Sequence, residues 1–127
     1  MLKDSKAFSG FSVNDQSEAK KFYGEKLGLE VEETEMGLMI KLAGGSMVFV
    51  YAKENHVPAT FTILNFPVNN IDEAVSELKA KGIVFEMYEG MHQDAQGVAR
   101  GIAAKMGPDI AWFKDPAGNI LSILQEK

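Results

Sequence analysis

The sequence contains no cysteine, which excludes disulfides, thiolate metal centres and cysteine nucleophiles. Arginine occurs once, at Arg100, and the thirteen basic residues are outnumbered by eighteen acidic ones, for a net charge of -5. Phosphate recognition needs concentrated Lys and Arg, so nucleic acid is not an expected partner. No apolar run approaches the roughly 18 residues of a membrane span. The opening MLKDSKAF has no apolar core of the kind a signal peptide carries. The expectation is a cytoplasmic protein without a membrane partner.

What is present is ordinary for a globular chain: 46% hydrophobic and 24% charged residues. A chain of this size buries about two thirds of the surface that its unfolded form exposes. Internal similarity organises it. FSVNDQSEAKKFYGEK (11–26) aligns without a gap on FPVNNIDEAVSELKAK (66–81), and six of the sixteen positions agree: Phe11/Phe66, Val13/Val68, Asn14/Asn69, Glu18/Glu73, Ala19/Ala74 and Lys26/Lys81. Asp15 with Glu18, and Asn70 with Glu73, have the spacing of a helix N-cap. Gly28 and Gly82 supply the stops. Ala19, Phe22, Tyr23 and Leu27 in one segment, and Ile71, Ala74, Val75 and Leu78 in the other, recur at helical spacing.

Strand patterns flank both helices. In the first half they cover 7–13, 29–35, 38–42 and 47–51; in the second, 60–68, 83–88, about 110–113, and 120–124. The pattern predicts an α+β fold of two β-α-β-β-β modules, 1–55 and 59–127, in a single domain of residues 1–127. The polar KENHVPA joins them.

The paired modules, the FSVND strand followed by EAKKFYGEKLGLEV, and the late WFKDPAGNILSIL together resemble the vicinal oxygen chelate superfamily. This is the glyoxalase, bleomycin-resistance and extradiol-dioxygenase group. The resemblance implies a cupped, eight-stranded mixed sheet with helices outside and a pocket inside. It also implies a homodimer, since two-module chains of this group commonly pair. In the group's metalloenzymes four inward His, Gln or Glu side chains hold a divalent ion. The corresponding positions here are Phe8, Phe49, Ile63 and Ser122. Hydrocarbon side chains have no lone pair to donate, and a lone serine hydroxyl is a weak ligand. No metal ligand, catalytic residue or cofactor is therefore expected.

Strand alternation places Phe8, Gly10 and Ser12, then Met47, Phe49 and Tyr51, then Phe61, Ile63 and Asn65, and finally Ile120, Ser122 and Leu124 toward the cup. Such a face is mostly apolar, with Ser12, Tyr51, Asn65 and Ser122 able to orient a ligand. Trp112 and Phe113 are adjacent, so one faces the cup and the other the helices, and the sequence leaves open which. Arg100 lies on a long glycine-punctuated segment, 89–109, that reads either as a lid, with a guanidinium suited to a carboxylate or phosphate, or as a flexible surface loop or extended hairpin carrying an exposed arginine. The expected ligand-binding set is Phe8, Ser12, Phe49, Tyr51, Ile63, Asn65, Arg100, Trp112 and Ser122.

The expected function is a metal-independent binding protein that sequesters an apolar or planar small molecule, as the group does with antibiotics such as bleomycin. The alternative is a glyoxalase- or dioxygenase-like lyase or isomerase with displaced ligands such as Glu86, His92 or Asp94. His56, in the linker, reads as a solvated loop residue. A third reading is a dimeric accessory protein whose cup is filled by its own side chains.

Overall fold

The computed structural model describes all residues, 1–127, and they form two compact units, Met1–Pro58 and Ala59–Lys127. In module one, strand β1 (Ser9–Val13) leads into helix α1 (Gln16–Lys20), which continues as a π-helical turn over Lys21–Lys26. Strands β2 (Glu30–Glu33), β3 (Leu38–Lys41) and β4 (Met47–Ala52) follow. They form a four-stranded mixed sheet in the order β1-β4-β3-β2, with β1 parallel to β4 and the other pairs antiparallel.

Asp15 starts α1 by accepting a hydrogen bond from the Glu18 amide at 3.0 Å. The Leu27 amide bonds to the Phe22 carbonyl, one residue further back than an α-helix requires. The helix buries Ala19, Phe22 and Tyr23. They lie on the side of the sheet that carries Phe11, Val13, Leu38, Ile40, Val48 and Val50, with the Phe11 and Tyr23 rings 5.7 Å apart.

Module two begins with β5 (Thr62–Pro67) and helix α2 (Ile71–Ala80). Asn70 caps α2 through the Glu73 amide, and the Gln125 side chain accepts from the Ile71 amide at 2.9 Å. Gly82, at φ 88°, closes it, with the Ile83 amide bonded to the Leu78 carbonyl. After a long connection come β6 (Ala99–Arg100), the short helix α3 (Gly101–Ala104), β7 (Asp109–Lys114) and β8 (Ile120–Gln125). The sheet order is β5-β8-β7-β6, again with one parallel pair, β5 with β8. The architecture is α+β, eight strands in two four-stranded mixed sheets.

Two features differ from the sequence-based expectation. The predicted strand at 83–88 is absent. The alternation there is real, since Ile83 and Phe85 are buried while Val84 and Met87 are 77% and 62% exposed. Yet the segment makes only one isolated bridge, Phe85 with Phe113, plus the Glu86 amide to the Trp112 carbonyl. A strand needs a continuous ladder as well as alternation. The rest of the edge of β7 is taken by the two-residue β6, beyond the reach of the pattern.

The second difference is a bulge in β5. Thr62 lies opposite Ile120 while Leu64 lies opposite Leu121, so one extra residue is inserted at Ile63 and strict alternation breaks there.

Candidate ligand-binding faces

In module one the sheet face away from α1 is defined by register. Gly10, Phe49, Met39 and Glu32 form one row across four strands, and Ser12 and Tyr51 begin the next. Phe49 and Tyr51 are both half-buried and their rings are stacked, with centroids 5.7 Å apart and planes 20° from parallel. Two glycines make room for them. A Cβ on Gly10 would lie 3.2 Å from the Phe49 carbonyl oxygen. One on Gly37 would press on the Phe49 ring at 3.1 Å and collide with the Val50 carbonyl oxygen.

The polar side of this face is a pair that the sequence did not reveal. The Ser12 hydroxyl and His56 Nδ1 are 2.7 Å apart, although the residues are 44 positions apart in sequence. The linker is bent back by the bonds from the Lys53 amide to the Val13 carbonyl and from the His56 amide to the Lys53 carbonyl. His56 is therefore half-buried at the end of β1 rather than a solvated loop residue. Phe8 precedes β1 instead of lying in it and is 60% exposed.

In module two the face away from α2 carries the row Asn65, Ser122 and Trp112. Trp112 thus lies on the Ser122 side, and Phe113 packs into the helix layer against Phe85, rings 5.8 Å apart. The Ser122 hydroxyl donates to Asn65 Oδ1 at 2.6 Å; Ser122 is fully buried and Asn65 exposed. Trp112 is buried edge-on to Tyr88, with centroids 5.6 Å apart. Ile63, at the bulge, is half-buried.

Arg100 does not stand ready for an anion. Its Nε donates to Asp94 at 3.0 Å, a terminal nitrogen donates to Asp72 at 2.6 Å, and another lies 3.5 Å from Asp109. Three carboxylates outnumber the one guanidinium, so the arginine works as an internal clasp joining α2, the connection and β7. Its hydrogen bond to Asp72 is the main reason the guanidinium is held more firmly protonated than usual, against the opposing effect of burial. Burial pushes the Asp94 carboxyl up, but hydrogen bonds from the Val98 amide, Arg100 and the Gln96 amide outweigh it and leave the group below the ordinary carboxylate range.

The long connection is likewise pinned. The Gln93 side chain accepts from the Tyr88 amide and donates to the Glu86 and Gly97 carbonyls, each at 2.7 Å. The segment expected to be a lid is held at both ends by side chains.

The positions where metalloenzyme ligands would fall do not fit a divalent ion. Phe8, Phe49 and Ile63 have no donor atom, and the Ser122 hydroxyl is committed to Asn65. Among the displaced candidates, Glu86 pairs with Lys114 at 3.4 Å and Asp94 is engaged as described. His92 stands at φ 50° in a turn. No three His, Asp or Glu side chains are gathered where they could hold a metal. Two grooves lie elsewhere, and neither is lined by an expected site residue. One of about 410 Å³ lies beside Ile83, Val84, Phe85 and Met87, and one of about 450 Å³ lies beside Lys20, Gly24 and Val31.

Solved structures share this fold. A member of the glyoxalase/bleomycin resistance protein/dioxygenase superfamily from Sphaerobacter thermophilus DSM 20745 superposes with TM-score 0.68 at 23% identity, covering 98% of this chain and 100% of the other. The antibiotic binding protein TnmS3 from Streptomyces sp. CB03234 gives 0.66 at 20% identity, covering 98% of each chain. A glyoxalase family protein from Enterococcus faecalis gives 0.66 at 23% identity, covering 97% and 98%. No curated protein sequence matches closely enough to count as a relative. The model of one family matches residues 8–123, nearly the whole chain, and with the two β-α-β-β-β modules this establishes that the protein belongs to the Glyoxalase/Bleomycin resistance protein/Dioxygenase superfamily.

Proposed function

We propose that the protein binds a planar or largely apolar small molecule without a metal. The observation that carries this reading is the half-buried Phe49–Tyr51 stack on the module-one face, beside Ser12 and His56. Two nearly parallel rings offer a flat, polarisable surface on which an aromatic ligand stacks at low entropic cost, because each ring has few torsions to freeze. The hydrocarbon side chains at Phe8, Phe49 and Ile63 support the metal-independent part. The likeness in fold to TnmS3, itself described as an antibiotic binding protein, supports the class of ligand. The net charge of -5 favours cationic drugs among planar ligands.

A thermal-shift screen of planar antibiotics, dicarbonyl adducts and small acids tests the reading, since a ligand specific to the native state raises the melting temperature. Planar compounds are expected to stabilise the protein equally with and without EDTA, and Phe49→Ala or Tyr51→Ala to weaken them about tenfold, the scale of one lost aromatic contact. Stabilisation that EDTA abolishes would overturn it. The same reading includes a cytoplasmic homodimer. The exposure of Phe8 and Phe61, 60% and 67%, supports self-association, which light scattering checks.

A further inference from the structure

The Ser12–His56 pair stands at the edge of the Phe49–Tyr51 stack. Ser12 and Tyr51 are register partners on the parallel strands β1 and β4, and neighbouring strands lie about 4.8 Å apart. A planar ligand resting against the Tyr51 ring therefore brings its edge to the Ser12 hydroxyl. Ser12, Tyr51 and His56 are all half-buried, so the place is open to a ligand yet partly screened from water.

The polarity of the pair follows from its geometry. Two backbone hydrogen bonds bend the linker back, from the Lys53 amide to the Val13 carbonyl at 2.9 Å and from the His56 amide to the Lys53 carbonyl at 3.0 Å, and they bring the imidazole to the end of β1. The Ser12 oxygen lies 2.7 Å from Nδ1. Hydroxyl donors favour about 2.7–2.8 Å, whereas N–H donors centre on about 2.9–3.0 Å. The separation thus assigns the proton: Ser12 donates and Nδ1 accepts. With its proton committed to the imidazole, the Ser12 oxygen meets a ligand through a lone pair, and donating to one partner makes it a better acceptor for another.

We infer that Ser12 is a specificity-determining residue of module one, whose oxygen accepts a hydrogen bond from an O–H or N–H group on the edge of a planar ligand lying against Tyr51. His56 is the positioning residue that fixes this polarity through Nδ1. The inference rests on the proposed binding function and narrows its ligand class to planar hydrogen-bond donors, phenols above all, because their acidity makes them stronger donors than alcohols. A ligand edge that carries only acceptors turns a lone pair toward a lone pair. Discrimination comes from that mismatch as much as from the bond gained.

Hydroxypyrene and methoxypyrene, substituted at the same carbon, share one planar fluorescent skeleton, and only the first can donate. Fluorescence titration gives dissociation constants for both with the native protein, Ser12→Ala and His56→Phe. The native protein is expected to bind hydroxypyrene about tenfold more tightly than methoxypyrene, one hydrogen bond's worth of preference. Ser12→Ala should abolish that preference. His56→Phe frees the Ser12 proton to turn toward the ether oxygen, so the preference should shrink because methoxypyrene gains. A merely structural role for His56 would weaken both probes alike and leave their ratio untouched, which would overturn its part in the inference. Equal binding of both probes by the native protein, or a preference that survives in Ser12→Ala, overturns the inference and leaves the proposed function standing. Failure of both probes to bind also overturns it, while the antibiotic screen decides the proposed function separately.

Discussion

The two modules start from similar sequence and finish differently. In module one the chain after the helix forms β2 and β3, whose backbone groups are satisfied by a ladder of four register pairs from Glu30↔Lys41 to Glu33↔Leu38. In module two the corresponding ladder, between β6 and β7, is cut to two register pairs, Ala99↔Ile110 and Arg100↔Asp109. The Gln93 and Asp94 side chains meet backbone groups of the connection instead, and Arg100 holds Asp94 in turn. Buried backbone polar groups must be paired, but the pairing can come from either source. A ladder is robust to the loss of one side chain, whereas a clasp concentrates the work in a few residues.

That contrast can be broken most directly at Gln93. Gln93→Ala removes three hydrogen bonds and should cost about 3 kcal/mol at about 1 kcal/mol each, read as a shift of the urea midpoint. Glu32→Ala, on the exposed β2, should stay within about 0.5 kcal/mol. Equal effects would refute the distinction between clasp and ladder.

A smaller effect is expected from the glycines. Gly97 stands at φ 94° with a Cβ position 3.0 Å from the Phe85 side chain, whereas Gly44, at φ 86°, has open space around it. Gly44→Ala meets only backbone strain, about 1 kcal/mol, while Gly97→Ala adds crowding and should reach about 2–3 kcal/mol. Thermal denaturation of the two variants compares them. A Gly44 effect as large as that at Gly97 would show that crowding against Phe85 is not what matters.

Asn70→Ala, which deletes the α2 cap, should cost about 1 kcal/mol. The Gln125 bond to the Ile71 amide softens the loss, and Gln125→Ala combined with Asn70→Ala should exceed the sum of the single effects.

The smallest effect is in acid. Asp94 is held below its ordinary pKa in the folded state, so it contributes stability that is present above the unfolded value of about 3.9 and is lost as pH falls through the lower folded value. Urea titrations between about pH 6 and pH 2 should show Asp94→Asn with a shallower acid limb than the native protein. An unchanged limb would mean that the carboxyl is not held down by Val98 and Arg100.

Much of the fold was legible because its signals are local. The caps at Asp15 and Asn70 bond to the Glu18 and Glu73 amides as their spacing predicts. The buried stripes of Ala19, Phe22 and Tyr23, and of Ile71 and Val75, follow helical periodicity. Alternation also separated the two faces of β1, β4 and β8. It failed at Ile63, where an inserted residue changes the parity, and at 83–88, where alternation is present but the neighbouring strand is not. For the site, the hydrocarbon and hydroxyl side chains at the ligand positions were visible from residue identity alone. The placement of Arg100 was not, because its three carboxylates come from α2, the connection and β7. The Ser12–His56 pair was missed for the same reason. Nothing in the residues near a histidine reports a partner across tens of residues.

By itself the sequence determined the two-module pattern, the helix ends and the hydrocarbon or hydroxyl identity of Phe8, Phe49, Ile63 and Ser122, since each depends on residue type and local spacing. Only the tertiary structure decided that Phe49 and Tyr51 stack, that Trp112 shares the face of Ser122, and that Arg100 serves as a clasp. Those outcomes depend on register and on distances between segments remote in the chain, which a linear pattern of residues does not contain.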